Sequence, residues 1–361
     1  MNDQKYDWII IGGGVSGISI AEILSREGKS VLIIEKNDQL ASLTSKVFHE
    51  WFHTGALYSL VPDKLFTLRY LLGATDDLLK YYSKYENMNI QTSSSGLNFT
   101  KNQGWFNDEQ IEYRYKVRKL NLIWMSMVSR SIHISNDIKS HDWLRKRAGS
   151  LYGGSKVELK HSFSHIKKQF LHNKEFFSTK SPDFTMNSRI LLTDLLTKSL
   201  SNGLDIVTSE SVIKIDKNSS GSIVKTDGGK YNSENVVICS PEVVSKLYKI
   251  PVKSSFAPIA VVEGVPDYER SFVELDYYPK HCINLLKKEN GIGQAGGISV
   301  NNEDQIRPYL EYLINQHKKR NPSIKVIDDY VGIKKELILK NESRNYLYHI
   351  NQHDTKAVSY T

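Results

Sequence analysis

Two short strings carry residues that could do chemistry. Residues 12–17 read Gly12-Gly13-Gly14-Val15-Ser16-Gly17, a G-x-G-x-x-G pattern, and residues 49–53 read His49-Glu50-Trp51-Phe52-His53, an H-E-x-x-H pattern. The first suits a phosphate-bearing dinucleotide. Gly12 permits a tight turn, Gly14 lets the backbone approach a pyrophosphate, and Gly17 lets a helix pack closely on a sheet. Free N–H groups and the dipole at that helix's N-terminus favour the negative charge. The second string suits zinc, because imidazoles at i and i+4 share one helix face and the glutamate between them can activate a bound water.

Each string needs elements to hold it. Asp7 to Ile11 is a short strand candidate whose apolar residues, Trp8 to Ile11, are continuous rather than alternating, which predicts a strand covered on both faces. Ile18, Ile20, Ala21 and Leu24 then fall at helical spacing up to Arg26, and Gly28 fits the helix end. Val31 to Ile34 reads as a second buried strand ending in Glu35, which follows Gly17 by 18 residues. That is the place for an acid that binds a ribose 2′-hydroxyl and disfavours a 2′-phosphate. Strand, glycine turn, helix, strand and acid together form a βαβ unit, a far more specific signal than the glycines alone. The histidine string has no such frame. The longer zinc-peptidase pattern fails at Ala56 and Ser59, and Thr54-Gly55 stops a helix at once. No metal is expected there.

Beyond residue 60, Pro62-Asp63 opens a long amphipathic stretch with Leu65, Leu68, Leu71 and Leu72 on one side. Residues 84–180 are expected to mix strands, at Asn89 to Thr92 and Leu97 to Thr100, with polar helices. Arg189 to Leu200 reads as a helix, followed by strands in "GLDIVTSESVIKIDK" and "YNSENVVICSP". Segments 257–263, 271–276 and 282–286 predict an antiparallel set, and Ile306, Tyr309, Leu310, Leu313, Ile314 and His317 mark another amphipathic helix. The glycine cluster "GIGQAGG" at 291–297 is not placed between a strand and a helix, so a hairpin turn is expected.

The chain has 361 residues, 40% hydrophobic and 24% charged, enough for two packed domains of ordinary globular balance. No apolar run approaches the ~20 residues of a membrane span, and no leader pattern opens the chain. Two cysteines, Cys239 and Cys282, make no disulfide framework, so a cytoplasmic protein is expected. The net charge of +8 is spread along the chain, densest from Tyr113 to Arg147, without a recognised nucleic-acid module beside it. It suits an anionic small molecule better than nucleic acid.

The stretches "DWIIIGGGVSGISIAEILSREGKSVLIIEK" and "TSKVFHEWFHTGALYS", with the later strands and "YVGIKKELI", resemble the FAD-dependent oxidoreductases of the D-amino-acid oxidase superfamily. That group includes glycine and sarcosine oxidases, glycerol-3-phosphate dehydrogenase and L-2-hydroxyglutarate dehydrogenase. The resemblance implies an α/β fold, with a Rossmann-type FAD-binding domain from residues 1–60, 183–250 and 325–361. A mixed-sheet α+β substrate domain, residues 61–182 and 251–324, is inserted into it. FAD would meet Gly12, Gly14, Val15, Ser16 and Gly17, with Glu35 and Lys36 at the acidic strand end. Thr44, Ser45 and Lys46 would meet the pyrophosphate, His53, Thr54 and Gly55 would lie near the flavin ring, and Val212 would sit beside the adenine.

The implied reaction is oxidation of a small anionic 2-hydroxy acid, polyol phosphate or amino acid, with a hydride passing to flavin N5. Oxygen or an unidentified acceptor would reoxidise the flavin. His53 could bond or steer the ring, while Arg344 and Lys334 are candidates to hold the substrate's negative group, with Arg189 and Lys335 behind them. A lysine where relatives often carry arginine weakens bidentate carboxylate binding. Two alternatives stand beside this reading, a zinc-dependent hydrolase at His49-Glu50-x-x-His53 and a catalytically idle flavin-binding protein. The resemblance also leads one to expect a final strand from Ala357 and Val358, then a glycine turn and closing helix. The sequence stops at Thr361, so a fragment with weak FAD retention is expected.

Overall fold

In a computed structural model of the chain, the described residues are 4–47, 50–52, 90–93, 96–99, 106–116, 167–171, 174–276, 281–337, 350–354 and 357–360. In chain order the first elements are β1 (Lys5–Ile11), α1 (Val15–Arg26), β2 (Val31–Ile34), α2 (Thr44–Val47), β3 (Trp51–Phe52), β4 (Ile90–Ser93) and β5 (Gly96–Phe99). Next come β6 (Phe106–Lys116), β7 (Lys167–Leu171), β8 (Lys174–Met186), α3 (Ser188–Ser201), β9 (Asp205–Val207), β10 (Val212–Asn218), β11 (Gly221–Thr226), β12 (Lys230–Ile238) and α4 (Pro241–Tyr248). The last are β13 (Val252–Glu263), β14 (Phe272–Asp276), β15 (His281–Lys287), β16 (Gly293–Gly297), α5 (Ile306–Arg320), β17 (Lys325–Leu337), β18 (Ile350–Asp354) and β19 (Ala357–Tyr360).

The chain is an α/β protein with two compact units. One comprises residues 1–48, 188–256 and 332–361, and the other comprises 49–187 and 257–331. The first is built on a sheet in the order β10-β11-β12-β1-β2-β9, with β19 against β12 and β18 against β19. Strands β9, β2, β1, β12 and β19 run parallel, which places their carboxyl ends on one edge.

The unbroken apolar run of β1 follows from that architecture. Ile9 and Ile11, with Leu32 and Ile34, pack toward Val244 of α4 and Val212 and Val224 of the β10–β11 hairpin. Ile10, between them, packs with Val31 and Ile33 toward Ala21 of α1 and Leu204. Both faces are buried, so neither alternates with water.

The second unit carries a mixed sheet in the order β17-β13-β16-β15-β14-β6-β8-β3, with β7 against β8. Leu310 and Leu313 of α5 share one core with Ala260, Val262, Phe272, Ile283, Leu285 and Ala295. Here the structure corrects one expectation. "GIGQAGG" is mostly not a hairpin turn: Gly291 sits in a turn at φ +69°, but Gly293–Gly297 is β16, between β13 and β15. The glycines serve close packing, since a Cβ on Gly297 would come within 2.3 Å of the Tyr309 hydroxyl and 2.6 Å of the Cys282 carbonyl. Strands β6 and β8 also run longer than any strand read from residues 84–180. The amphipathic stretch after Pro62 lies outside the described residues. Among the described residues, no helix is long and apolar enough to cross a membrane.

Candidate functional site

At the carboxyl edge of the parallel strands of the first unit lies a cleft of about 440 Å³. Four strand ends feed it: Gly12 and Gly14 follow β1, Glu35 and Lys36 follow β2, Glu210 follows β9, and Cys239 to Val243 follow β12. This is where an open parallel sheet leaves room for a ligand.

Gly12 holds φ at +104° while its N–H donates to the Ile34 carbonyl at 2.9 Å, a turn that a side chain would strain. Gly17 carries no cleft surface. A Cβ there would stand 2.0 Å from the Gly12 carbonyl oxygen, so glycine is what lets α1 start this close to β1. Gly14 is the N-cap of α1 and provides no side-chain cap. The Ser45 hydroxyl supplies one from a distant segment by accepting the Val15 N–H at 2.9 Å. A hydroxyl that takes one of the helix's free N–H groups marks where an anion's oxygens fit.

The Glu35 carboxylate is buried and held on both oxygens. It accepts the Gly13 N–H at 2.7 Å and the Asn37 N–H at 3.0 Å. That fixes the acid beside the glycine turn. Val212, also buried, lines the cleft at the start of β10. Thr44 donates its hydroxyl to the Ile333 carbonyl at 2.6 Å, which ties α2 to β17. Lys334 and Lys335 of β17 line the cleft as well. Lys334 pairs with Glu336 at 2.7 Å, whereas Lys335 and Lys36 both pair with Glu242.

Burial, with the Lys36 charge added, pulls the Lys335 ammonium below its ordinary range. Burial pushes the Cys239 thiol up to about 12, so it stays neutral at the cleft wall.

Of the residues singled out from sequence, Gly12, Gly14, Val15, Ser16, Glu35, Lys36, Thr44, Ser45, Val212, Lys334 and Lys335 all line this one cleft. Gly17 supports it from behind, and Lys46 is exposed in α2 outside the lining. Arg189 is exposed in α3, also outside it. His49, His53, Thr54, Gly55 and Arg344 lie outside the described residues. In the histidine string, Trp51–Phe52 is a strand paired with β8, not a helix. Glu50 bonds through its carbonyl to the Met186 N–H at 2.8 Å and pairs its carboxylate with Lys288. His49 and His53, the two imidazoles of that string, lie outside the described residues.

Sequence reasoning missed Glu210 and Ser240 to Glu242. A signal was present. Ser240-Pro241 is a helix start, with the serine hydroxyl accepting the Val243 N–H at 3.4 Å, and it follows a parallel strand directly.

Residues 7–281 match the family model described as FAD dependent oxidoreductase. Among curated proteins, the chain is 38% identical over 66 residues to UDP-galactopyranose mutase of Mycoplasma pneumoniae, covering 15% of this chain and 16% of that protein. It is 31% identical over 83 residues to the mitochondrial L-2-hydroxyglutarate dehydrogenase of Arabidopsis thaliana, covering 23% of this chain and 17% of that protein. The matched segments thus span about a sixth of each relative's length. Among solved structures, L-alpha-glycerophosphate oxidase from Mycoplasma pneumoniae, with FAD bound, superposes at a TM-score of 0.65 with 14% identity, covering 98% of this chain and 88% of that one.

Proposed function

This chain belongs to the FAD-dependent oxidoreductase family, and from that premise we propose that it oxidises a small anionic 2-hydroxy acid, polyol phosphate or amino acid. The carbon bearing the hydroxyl or amine gives up a hydride and its heteroatom gives up a proton, leaving a carbonyl or imine. FAD, when bound, supplies the hydride acceptor at N5 and passes the electrons to oxygen or another acceptor.

The chain's own residues supply binding and orientation. The observation that carries the reading is the convergence of the glycine turn, the doubly held Glu35 carboxylate and the Ser45-capped start of α1 on one cleft. These groups fit a dinucleotide. The α1 N–H groups and the Ser45 hydroxyl suit a pyrophosphate, Glu35 suits a ribose hydroxyl, and Val212 offers apolar surface to an adenine. Lys334, which lines the cleft and pairs with Glu336, is the candidate we assign to the substrate's negative group. The substrate range draws support from the relatives, one named for a 2-hydroxy acid and one for a polyol phosphate.

The test is a visible spectrum of the purified full chain, followed by anaerobic mixing with 2-hydroxyglutarate, glycerol 3-phosphate and glycine in turn. Bleaching of the flavin band by one of them is expected. A colourless protein that takes up no added FAD would overturn the cofactor assignment. Flavin that photoreduces but is bleached by no member of the panel would overturn the substrate assignment and leave an idle flavin-binding protein.

A further inference from the structure

We propose that Glu242 is a built-in stand-in for phosphate, holding the cleft lysines Lys36 and Lys335 until the cofactor's pyrophosphate takes them over. The proposal rests on the cleft being the dinucleotide site. Lys36 contacts one oxygen of the Glu242 carboxylate and Lys335 contacts the other. The three residues come from three remote segments, the end of β2, the first turn of α4 and β17, and all line the cleft that the start of α1 also lines.

The arrangement is an anion site already filled by the chain's own anion. Two cations share one carboxylate, so the group keeps a net positive charge. Crowding between them is visible at Lys335, whose ammonium is pulled down by burial and then by Lys36. A diphosphate offers more charge and more oxygens than one carboxylate, so it competes well for both ammonium groups. Lysine stems are flexible enough to change partners. Lys334, one residue away, pairs with Glu336 on its own strand. Binding then exchanges ion pairs rather than adding them. Glu242 lowers the affinity for phosphate and keeps two cations from repelling each other in the empty cleft.

The bland rival is that Glu242 merely clamps α4 to β2 and β17. The two differ in sign. If Glu242 competes with phosphate, Glu242→Gln should bind ADP about three- to tenfold more tightly at low salt, as expected for exchange at half-exposed ion pairs. The gain should fade near 1 M NaCl, where the screening length falls to about 3 Å. Adenosine should bind both proteins equally, and AMP should show a smaller gain than ADP. If Glu242 is only a clamp, the variant should melt lower and bind ADP no better.

The measurement is calorimetric titration of the full chain freed of flavin, with a thermal melt as the folding control. Glu242→Ser is a second variant with the same expectation. Lys335→Gln should weaken ADP binding more in the Glu242→Gln background than in the wild type, because only there is the lysine's full attraction gained on binding. Equal or weaker ADP binding by both Glu242 variants, beside a wild type that binds ADP, would overturn the proposal alone. An equal gain for adenosine would do the same. A wild type that binds neither ADP nor FAD would sink the reading of the cleft and this proposal with it.

Discussion

At the residue scale, the glycines of one motif do two separable jobs. A Cβ on Gly17 would meet backbone at 2.0 Å, whereas one on Gly14 would meet only the Ser45 hydroxyl at 3.3 Å. Gly17→Ala should therefore lose about 1–3 kcal/mol of stability through overpacking, read in a denaturant melt. Gly14→Val should melt close to wild type yet retain no flavin, because its side chain fills the approach to α1. If both variants melt alike, the division is wrong. Glu35→Gln is a third case. Both carboxylate oxygens accept N–H bonds, so an amide NH₂ must face a donor, at a cost of about 1–3 kcal/mol and with weaker FAD retention. Unchanged stability and flavin content would show that the acid does neither job. The glycine turn and Glu35 were legible in the sequence because they are local, within one βαβ unit. The pairing of Glu242 with Lys36 was not: more than 200 residues separate the two, and no spacing rule connects them.

At the element scale, what could be read depended on periodicity. The strands β1 and β2 and the helices α1, α3 and α5 carry long apolar runs or clear helical spacing, and their types follow. β16 does not: its five residues Gly-Gln-Ala-Gly-Gly have turn composition, and the need for small residues comes from Tyr309 and Leu313 of α5, visible only after folding. β6 and β8 hid behind charged residues, for a related reason. In β6, the buried Arg114 is no surface charge. It lies between Glu112 at 2.9 Å and Glu269 at 2.7 Å, with its guanidinium 4.0 Å above the Phe272 ring, and Asn321 donates to Glu269 at 2.9 Å. Burial alone would raise the Glu269 carboxyl, but the Arg114 charge and the bonds from Asn321, Arg114 and Arg270 outweigh it and hold the group below its usual range. The sign follows: this carboxylate stabilises the second unit above the ordinary glutamate value of about 4.3, and the contribution is lost as pH falls through its depressed value. Acid titration of near-ultraviolet circular dichroism should show a loss of packing below about pH 4. Glu269→Gln should flatten that limb. Arg114→Met, which strands two carboxylates, should cost about 3–5 kcal/mol at pH 7. An acid limb of the same steepness in Glu269→Gln would assign the transition to other groups.

At the scale of the whole molecule, the cleft is assembled from three stretches of chain that meet only in the fold: residues 11–45, 210–243 and 334–335. All three belong to the first unit. If the cleft is the dinucleotide site as proposed, no stretch holds the ligand by itself, so binding free energy must appear as resistance of those stretches to separating. A ligand at a hundred times its Kd adds about 2.7 kcal/mol to the state that binds it. Amide exchange at times shorter than global unfolding reports where that stabilisation is felt. On adding FAD or ADP to the flavin-free chain, slowed exchange is expected at Gly12 to Ser16, Glu35 to Ser45, Cys239, Ser240, Glu242, Val243 and Lys334 to Lys335. The amides of β14, β15, β16 and α5, which belong to the second unit, should change little. Ser45 is the sharpest reporter, because its hydroxyl caps α1 from a segment of its own and must make room for the anion. If FAD slows exchange in the second unit while leaving Gly12 to Ser16 and Glu35 to Ser45 unchanged, the cofactor binds somewhere other than this cleft, and the glycine turn is structural only.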